Sequence, residues 1–219
     1  MPRSIRYHGH AAFPRGVRLS ARLGLEDVVL SLPVRPTYTA EIDGRRLAVY
    51  DGLLPNDELL KLWSILNRAG FTRSEIARPD TAEHRHWASE IPVTSLPSMP
   101  FLAPSMAAVR AYDPQRTYRP YRSYVNVAHF GDMLFTHTDC LPEAGELTAL
   151  WYVCDRWDHE WGGETVFFDA NHDIRAAVIP KPGRLAVFDG ALLHAGRPPN
   201  RICYAPRFTL AIKLERASG

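Results

Sequence analysis

The sequence predicts a mainly β fold with packed helices, and three observations support this prediction. After Pro120 the chain contains about eight short stretches rich in β-branched and aromatic residues. Glycine or proline interrupts most of the gaps between these stretches. A helical pattern lies before them, over residues 56–69. Helices followed by many short strands indicate a β-sandwich or barrel with helices packed on one side.

The first elements are a hairpin and a helix. Residues 36–50 read as two short strands around Asp43-Gly44, a dipeptide typical of a two-residue β-turn. Over 56–69, Asn56 can cap a helix, and Gly70 can end it. Its apolar residues fall on one face, so we expect this helix to pack on the sheet: Leu59, Leu62, Trp63 and Leu66.

The next segment reads as a long loop. Residues 71–100 are mostly polar and contain four prolines, so we predict little regular structure there. Long loops often act as lids, and we expect residues 71–95 to be a candidate lid. A second helix is predicted over 104–113, with Pro104 in its first turn.

Eight strands are then predicted in order. Their expected limits are 121–130, 133–139, 146–154, 164–168, 176–180, 184–189, 191–195 and 206–214. Gly162, Gly163 and Gly183 are expected in turns that need a positive φ angle.

Length and composition indicate one ordinary globular domain. The chain has 219 residues, of which 46% are hydrophobic and 23% charged. We expect a single domain over 36–219, with supporting strands and helices over 36–119 and a β-rich core over 120–215. Residues 1–35 are expected to form an N-terminal extension. Its first 25 residues are rich in arginine, which also resembles a transit peptide.

Charge and cysteine usage limit the partners and the compartment. A net charge of +2 gives no indication of nucleic-acid binding. No apolar run is long enough to span a membrane, and we expect no membrane partner. The three cysteines show no CxxC spacing, which favours a reducing, cytoplasmic location over a disulfide framework or a thiolate zinc site: Cys140, Cys154 and Cys203.

A candidate metal site lies in the predicted strands. On a strand, residues i and i+2 point to one face, so His137 and Asp139 can chelate one metal, above Met133 and Phe135. His194 is the expected third ligand. Two imidazoles and one carboxylate that leave positions open suit Fe(II) in oxygenases. The H-x-D pair alone is a weak signal, because a strand histidine followed by a turn aspartate gives the same letters.

The surrounding sequence strengthens this interpretation. The stretch 162–168 (GGETVFF) follows the H-x-D pair, 180–190 (PKPGRLAVFDG) precedes His194, and Arg207 comes after it. With these motifs in this order, the chain closely resembles the Fe(II)/2-oxoglutarate-dependent oxygenases of the prolyl-4-hydroxylase-like superfamily. The resemblance is clearest over about 121–215, weaker over 46–70 and absent over 1–35.

The resemblance implies a fold and an activity. The expected core is a double-stranded β-helix, a jelly roll of the cupin-like kind. The expected enzyme uses Fe(II), 2-oxoglutarate and O2. It would couple oxidative decarboxylation of 2-oxoglutarate, to succinate and CO2, with hydroxylation of a C–H bond. The ligands and catalytic residues would be His137, Asp139 and His194. Related halogenases have a small residue where this chain has Asp139, so we predict hydroxylation, desaturation or epoxidation and no halogenation.

Four residues are expected to hold the co-substrate. Arginine binds a carboxylate through two parallel hydrogen bonds, and Arg207 with Thr209 resembles the family's Arg-x-Ser/Thr element for the distal carboxylate. The match to oxygen-sensing prolyl hydroxylases implies that Tyr152 also reaches that carboxylate. Asn126 is expected to contact the 1-carboxylate or a metal-bound water; strand packing is the other interpretation.

The primary substrate is less defined by the sequence. Trp87, in the predicted lid, and Arg122, at the start of the core, are the candidate substrate contacts, although Trp87 could equally be a packing residue. A small metabolite is favoured, such as an amino acid, a sugar derivative or a natural-product intermediate. Three alternatives stay open: a peptidyl-proline or protein hydroxylase, a non-catalytic cupin-like metal-binding or sensor protein, and a zinc or manganese isomerase on a similar barrel.

Overall fold

The computed structural model describes residues 34–217, which form two antiparallel sheets and two α-helices. The main sheet has eight strands in the spatial order β1-β2-β9-β6-β11-β5-β4-β3, and the small sheet has the order β10-β7-β8. The strands are β1 (Tyr38–Ile42), β2 (Arg45–Tyr50), β3 (Thr72–Glu75), β4 (His86–Glu90), β5 (Tyr118–Ala128), β6 (Leu147–Val153), β7 (Thr165–Phe168), β8 (Ile174–Val178), β9 (Leu185–Asp189), β10 (His194–Gly196) and β11 (Arg207–Arg216). The predicted mainly β, double-stranded β-helix architecture is confirmed.

The helices cover one face of the main sheet. They are α1 (Asn56–Leu66) and α2 (Leu102–Tyr112), and short 3-10 turns lie at Pro79–Thr81, Val93–Ser98 and His159–Trp161. A buried apolar cluster joins the helices to that face through Leu59, Val109 and Trp151. A second cluster fills the space between the two sheets through Val49, Phe167 and Phe188. The chain therefore forms three layers, and the site described below lies between the two sheets.

The first predicted elements are confirmed, with corrections at their ends. Asp43 and Gly44 both have positive φ, so β1 and β2 join through the expected turn. Helix α1 ends at Leu66, four residues before Gly70. Its N-cap is Pro55, with no side-chain hydrogen bond, so the predicted cap at Asn56 is wrong. Helix α2 begins two residues earlier than predicted.

The predicted irregular loop at 71–100 is wrong, since it contains two strands of the main sheet. Strand β4 pairs with β5, and β3 pairs with β4 at the edge. These strands are short and polar, so their sequence gives a weak signal, and their formation depends on the distant partner strand β5.

Most predicted core strands are found, with several differences; for example, β10 begins at His194 and not at residue 191. The stretch 133–139 is not a regular strand, because only His137 pairs with the small sheet, opposite His194. Met133 is accordingly exposed and does not line the cavity, whereas Phe135 does. Strand β8 begins two residues earlier than predicted. The expectation for residues 1–33 lies outside the described part of the chain.

Register places the polar residues of the cavity. Strand β11 directs Arg207, Thr209, Ala211 and Lys213 to the face that looks toward the small sheet. Its neighbour β5 places Ala128 opposite Arg207 and Asn126 opposite Thr209. Between residues 34 and 217, no helix combines the length and apolarity needed to cross a membrane.

Candidate metal centre

Three predicted ligand residues meet between the sheets. The ligand atoms of His137, Asp139 and His194 all lie within 4.8 Å of one another. Oδ1 of Asp139 is 3.5 Å from Nε2 of His137 and 3.8 Å from Nε2 of His194. The three atoms therefore converge on one point, although the residues are far apart along the chain.

Backbone hydrogen bonds hold the triad in place. His137 and His194 exchange two backbone hydrogen bonds of 2.9 Å each. The Asp139 amide donates to the Gly190 carbonyl oxygen at 2.7 Å, which fixes the chain two residues after the His137–His194 pair. The H-x-D pair therefore reaches the site from an irregular segment, held at two points, and not from a strand as the sequence predicted.

Both imidazoles present the same nitrogen to the centre. Nδ1 of His137 lies 3.0 Å from the Phe135 carbonyl oxygen, and Nδ1 of His194 lies 2.8 Å from that of Leu192. A carbonyl only accepts, so each Nδ1 donates the hydrogen bond and Nε2 is the nitrogen that each ring turns toward Asp139. Burial lowers the pKa of His194 to about 4, which keeps its imidazole neutral at physiological pH.

Asp139 is a buried carboxylate with a buried cation beside it. Its Oδ2 forms an ion pair with Nζ of Lys213 and accepts a hydrogen bond of 2.5 Å from Oγ1 of Thr148. Burial alone would raise the pKa of Asp139, but the Lys213 ammonium beside it holds that pKa well below its usual value. Asp139 is therefore an anion in the folded protein.

This donor set fits Fe(II). Two imidazole nitrogens and one carboxylate oxygen are the donor set that non-haem iron uses in sites with open positions. The locked Nδ1 protons supply the outer hydrogen bonds that metal-binding histidines need. His137, Asp139 and His194 could therefore hold one such ion.

A second cation, Arg207, lies in the same cavity. Arg207 is only 4% exposed. Its Nε donates to the Gly163 carbonyl oxygen at 2.5 Å and its Nη2 to Oγ1 of Thr165 at 2.9 Å. Within residues 34–217 the guanidinium has no carboxylate at ion-pair distance. Burial lowers its pKa, and the more distant charges of Tyr152 and Glu164 offset this only in part. A buried cation without a direct ion pair is costly, so this arrangement calls for an anionic ligand.

Glycines make room for this guanidinium. A Cβ on Gly163 would lie 3.3 Å from Cδ of Arg207 and 2.8 Å from Cζ2 of Trp157, and the φ of Gly163 is +78°. A Cβ on Gly196 would lie 3.3 Å from Nη1 of Arg207. Gly163 therefore has the turn conformation that the sequence predicted and also makes room for the arginine.

The other predicted co-substrate residues have different surroundings. Thr209 is buried and lines the cavity beside Arg207. Asn126 also lines the cavity, and in the described part of the chain its buried Oδ1 has no hydrogen-bond partner. The Tyr152 hydroxyl donates to Oγ1 of Thr165 at 2.7 Å, and its ring lies 5.6 Å from Cζ of Arg207. Tyr152 does not line the cavity, so its hydroxyl contacts Thr165 and does not itself reach into the cavity as the sequence predicted.

The candidate substrate residues are not brought into the cavity. Trp87 packs against the helix-side core, because alternate residues of β4 point to opposite faces. Arg122 shares the cavity face of β5 but is held in ion pairs with Glu75 and Glu90, 2.6 Å and 2.5 Å away. Neither side chain lines the cavity, so we do not retain these two assignments.

Sequence reasoning missed two cavity residues and gave a third no role of its own. Lys213 and Thr148 contact Asp139, but a lone lysine or threonine in a strand forms no motif. His86 comes from the segment that was expected to be a lid loop. It is 8% exposed, and its Nε2 is buried with no hydrogen-bond partner within residues 34–217. Burial and the nearby His137 lower the pKa of His86, so this ring is neutral.

Comparison with known proteins agrees with this site. The family model of the 2OG-Fe(II) oxygenase superfamily matches residues 123–212, a range that contains the triad and Arg207. No curated protein matches the chain by sequence. The resemblance inferred from the motifs is confirmed by the family match and by the structural neighbours.

Solved structures share the fold. A prolyl-4-hydroxylase from Pseudomonas putida has a TM-score of 0.57 and 18% identity, over 78% of this chain and 93% of its own. A Trichoplax adhaerens prolyl hydroxylase, solved with a peptide of the hypoxia-inducible factor oxygen degradation domain, has a TM-score of 0.58 and 15% identity, over 77% and 83%. HygX from Streptomyces hygroscopicus, with nickel and 2-oxoglutarate bound, has a TM-score of 0.56 and 15% identity, over 77% and 82%.

Proposed function

We infer that this chain, whose core belongs to the 2OG-Fe(II) oxygenase superfamily, is a 2-oxoglutarate-dependent dioxygenase that hydroxylates a C–H bond of a small polar metabolite. Fe(II) supplies O2 activation when bound, and 2-oxoglutarate supplies the electrons by becoming succinate and CO2. The protein's part is to hold these reactants in a fixed geometry and to exclude bulk water.

The unpaired guanidinium of Arg207 is the observation that carries this proposal. It is buried, it faces the same cavity as the triad, and its hydrogen-bond acceptors are neutral. A dianion that chelates the metal with one end and reaches Arg207 with the other would neutralise this cation. 2-Oxoglutarate has that chemistry, since a keto acid group and a distal carboxylate stand at its two ends.

The proposed roles follow from position. His137, Asp139 and His194 would hold the metal, and Arg207 with Thr209 would bind the distal carboxylate. Tyr152 would hold Thr165 in place, and Thr165 in turn contacts Arg207. Asn126 would donate from Nδ2 to the 1-carboxylate, or would accept from a metal-bound water at its Oδ1, which has no partner within residues 34–217.

Two unpaired polar atoms favour a small polar substrate. Nε2 of His86 and Oδ1 of Asn126 both border the cavity, and each would gain a hydrogen bond from a hydroxyl or amide group. Hydroxylation of a peptidyl proline is the second candidate. It is supported by the prolyl hydroxylases among the structural neighbours, one of them solved with a peptide.

The test is an anaerobic titration. Adding Fe(II) and then 2-oxoglutarate to metal-free protein should produce the weak visible charge-transfer band of a chelated complex. The band should be lost in His137→Ala and kept in His159→Ala, a matched control because its side chain is 85% exposed. A folded protein that gives no band would overturn the proposal and favour a non-catalytic metal-binding protein.

Substrate class needs a second assay. Succinate formation should be accelerated by fractions of polar metabolites more than by proline-containing peptides. The reverse order would replace the metabolite with a peptidyl proline and leave the reaction type unchanged. Succinate formation that no fraction accelerates, in protein that does give the band, would count against both substrate classes.

A further inference from the structure

The carboxylate of the triad has two unequal oxygens. Oδ1 of Asp139 faces the two imidazoles, whereas Oδ2 is occupied by Lys213 and Thr148. Lys213 also donates from Nζ to Oγ1 of Thr148 at 3.2 Å, so the three side chains form a closed group. Two donors on Oδ2 leave only Oδ1 directed at the metal position.

Lys213 is fixed in this place by its surroundings. It is 7% exposed, and its Nζ lies 5.8 Å from the ring centre of Tyr124, which favours the cation. In the described part of the chain, Asp139 is the one carboxylate that pairs with it. A buried lysine with a single anionic partner has no alternative position that satisfies its charge.

We propose that Lys213 is a built-in counter-ion for Asp139. Together with Thr148, Lys213 restricts this carboxylate to binding metal through Oδ1 alone, and it lowers the affinity of the site for divalent ions. The proposal rests on the metal site of the proposed function. Lys213 is thus a positioning residue, because it acts on the metal through Asp139.

The sign of the effect follows from charge. Outer hydrogen bonds to metal-binding histidines raise the basicity of the ligand and strengthen metal binding. An ammonium on the free oxygen of a carboxylate does the opposite, since it withdraws negative charge and repels the incoming ion. In the metal-free protein the same ammonium compensates the buried carboxylate, so the empty site is stable without an ion.

One-oxygen binding also has a consequence for the number of ligands. With Asp139 bound through Oδ1 only, three positions of an octahedral ion stay free. Two of these suit a bidentate keto acid, and one is left for another small ligand. If both carboxylate oxygens bound, that last position would be lost.

Mn(II) titration of the metal-free protein tests the proposal without turnover. Free Mn(II) would be followed by its electron paramagnetic resonance signal in wild type, Lys213→Met and Lys213→Arg. We expect Lys213→Met to bind Mn(II) at least about tenfold more tightly, and Lys213→Arg to behave as wild type because it restores the charge. Lys181→Met is the matched control, since Lys181 is an exposed lysine away from the cavity.

A structural role would give another result. If Lys213 only fills space, Lys213→Met would bind Mn(II) as wild type does or more weakly, and this outcome overturns the proposal. A second measurement is the number of waters on bound Mn(II), read from solvent proton relaxation. We expect it to fall in the double variant Lys213→Met/Thr148→Val, because the freed carboxylate can then bind through both oxygens. An unchanged water number would overturn the one-oxygen part of the proposal.

Poor folding of the variant is also informative. Lys213→Met leaves Asp139 buried without a counter-ion, so its metal-free melting temperature should fall and should recover more on Mn(II) addition than that of wild type. Lys213→Gln serves where Lys213→Met does not fold, with the same expected direction. Failure of the proposed function is recognised separately, because wild type and His137→Ala would then bind Mn(II) equally.

Discussion

Strand β11 carries a buried cation at each end of its cavity face, and the two cations are neutralised differently. Lys213 pairs with Asp139 of the same protein. Arg207 contacts a carbonyl and a hydroxyl oxygen, and within residues 34–217 it has no acidic partner. The charge at the Lys213 end of the cavity is therefore neutralised within the protein, whereas the charge at the Arg207 end needs an anionic ligand. The difference indicates which end serves the metal and which end receives a carboxylate.

The largest expected effect is on the affinity for 2-oxoglutarate when Arg207 is replaced. Arg207→Gln keeps hydrogen-bonding groups but removes the charge that a desolvated carboxylate would need, at a cost of about 3 kcal/mol. We expect the dissociation constant for 2-oxoglutarate to rise roughly 100-fold in the anaerobic titration, a factor that corresponds to that free energy. Mn(II) affinity should stay within about twofold of wild type, since Arg207 does not touch the triad.

Removing the charge of Arg207 and removing the charge of Lys213 should change the stability of the ligand-free protein in opposite directions. Without ligand, Arg207→Gln removes a buried charge that has no direct ion pair within residues 34–217 and should stabilise the fold, whereas Lys213→Met should destabilise it. Urea unfolding of both metal-free variants checks this contrast. Equal losses of stability would show that Arg207 is already compensated in the free protein.

The dependence of stability on pH tests the metal end of the cavity, where His194 is buried. The folded pKa of His194, about 4, lies below its ordinary value of 6.5, so the unfolded chain takes up this proton first as the pH falls. The metal-free protein should therefore be fully stabilised above about pH 6.5 and lose about 3 kcal/mol by about pH 4. Unfolding curves across this range measure the loss. His194→Gln should flatten it, and a flat wild-type profile would contradict a neutral buried ring.

The smallest effect is expected between the two ends. Asn126→Leu removes a buried oxygen that has no partner, so the ligand-free protein should gain up to about 1 kcal/mol. Ser105→Ala is the control, because its buried hydroxyl accepts from Trp151 at 2.8 Å and donates to the Phe101 carbonyl at 2.6 Å; that variant should lose stability. A loss in Asn126→Leu would show that packing outweighs the unpaired oxygen.

The sequence predicts the core of this molecule better than its edge. Strands β5 to β11 carry strong apolar patterns bounded by glycine and proline, and seven of the eight predicted core strands are regular in the structure. Strands β3 and β4 read TRSE and HWASE, which resemble loop sequence. They become strands because β5 offers a free edge, and this information lies more than thirty residues away.

The site shows the same division. The triad and Arg207 belong to ordered motifs, so their residues can be found from spacing. Lys213, Thr148 and His86 belong to no motif, and their importance depends on which side chains the sheet register brings together. Trp87 was proposed from its chemistry, but strand alternation directs it to the core and its neighbour His86 to the cavity.

His137 is attached to the small sheet by a single residue pair, with irregular chain on both sides. Beyond this pair, the Asp139 amide on Gly190 also holds the segment, but no regular strand continues it. The segment therefore has little cooperative support and can open locally without unfolding the rest of the molecule. An ion held jointly by His137 and His194 would cross-link the two partners of that pair and suppress the opening. Amide hydrogen exchange at His137 is therefore expected to slow when the metal binds. The exchange rate of this one backbone amide would then report whether the metal site is occupied.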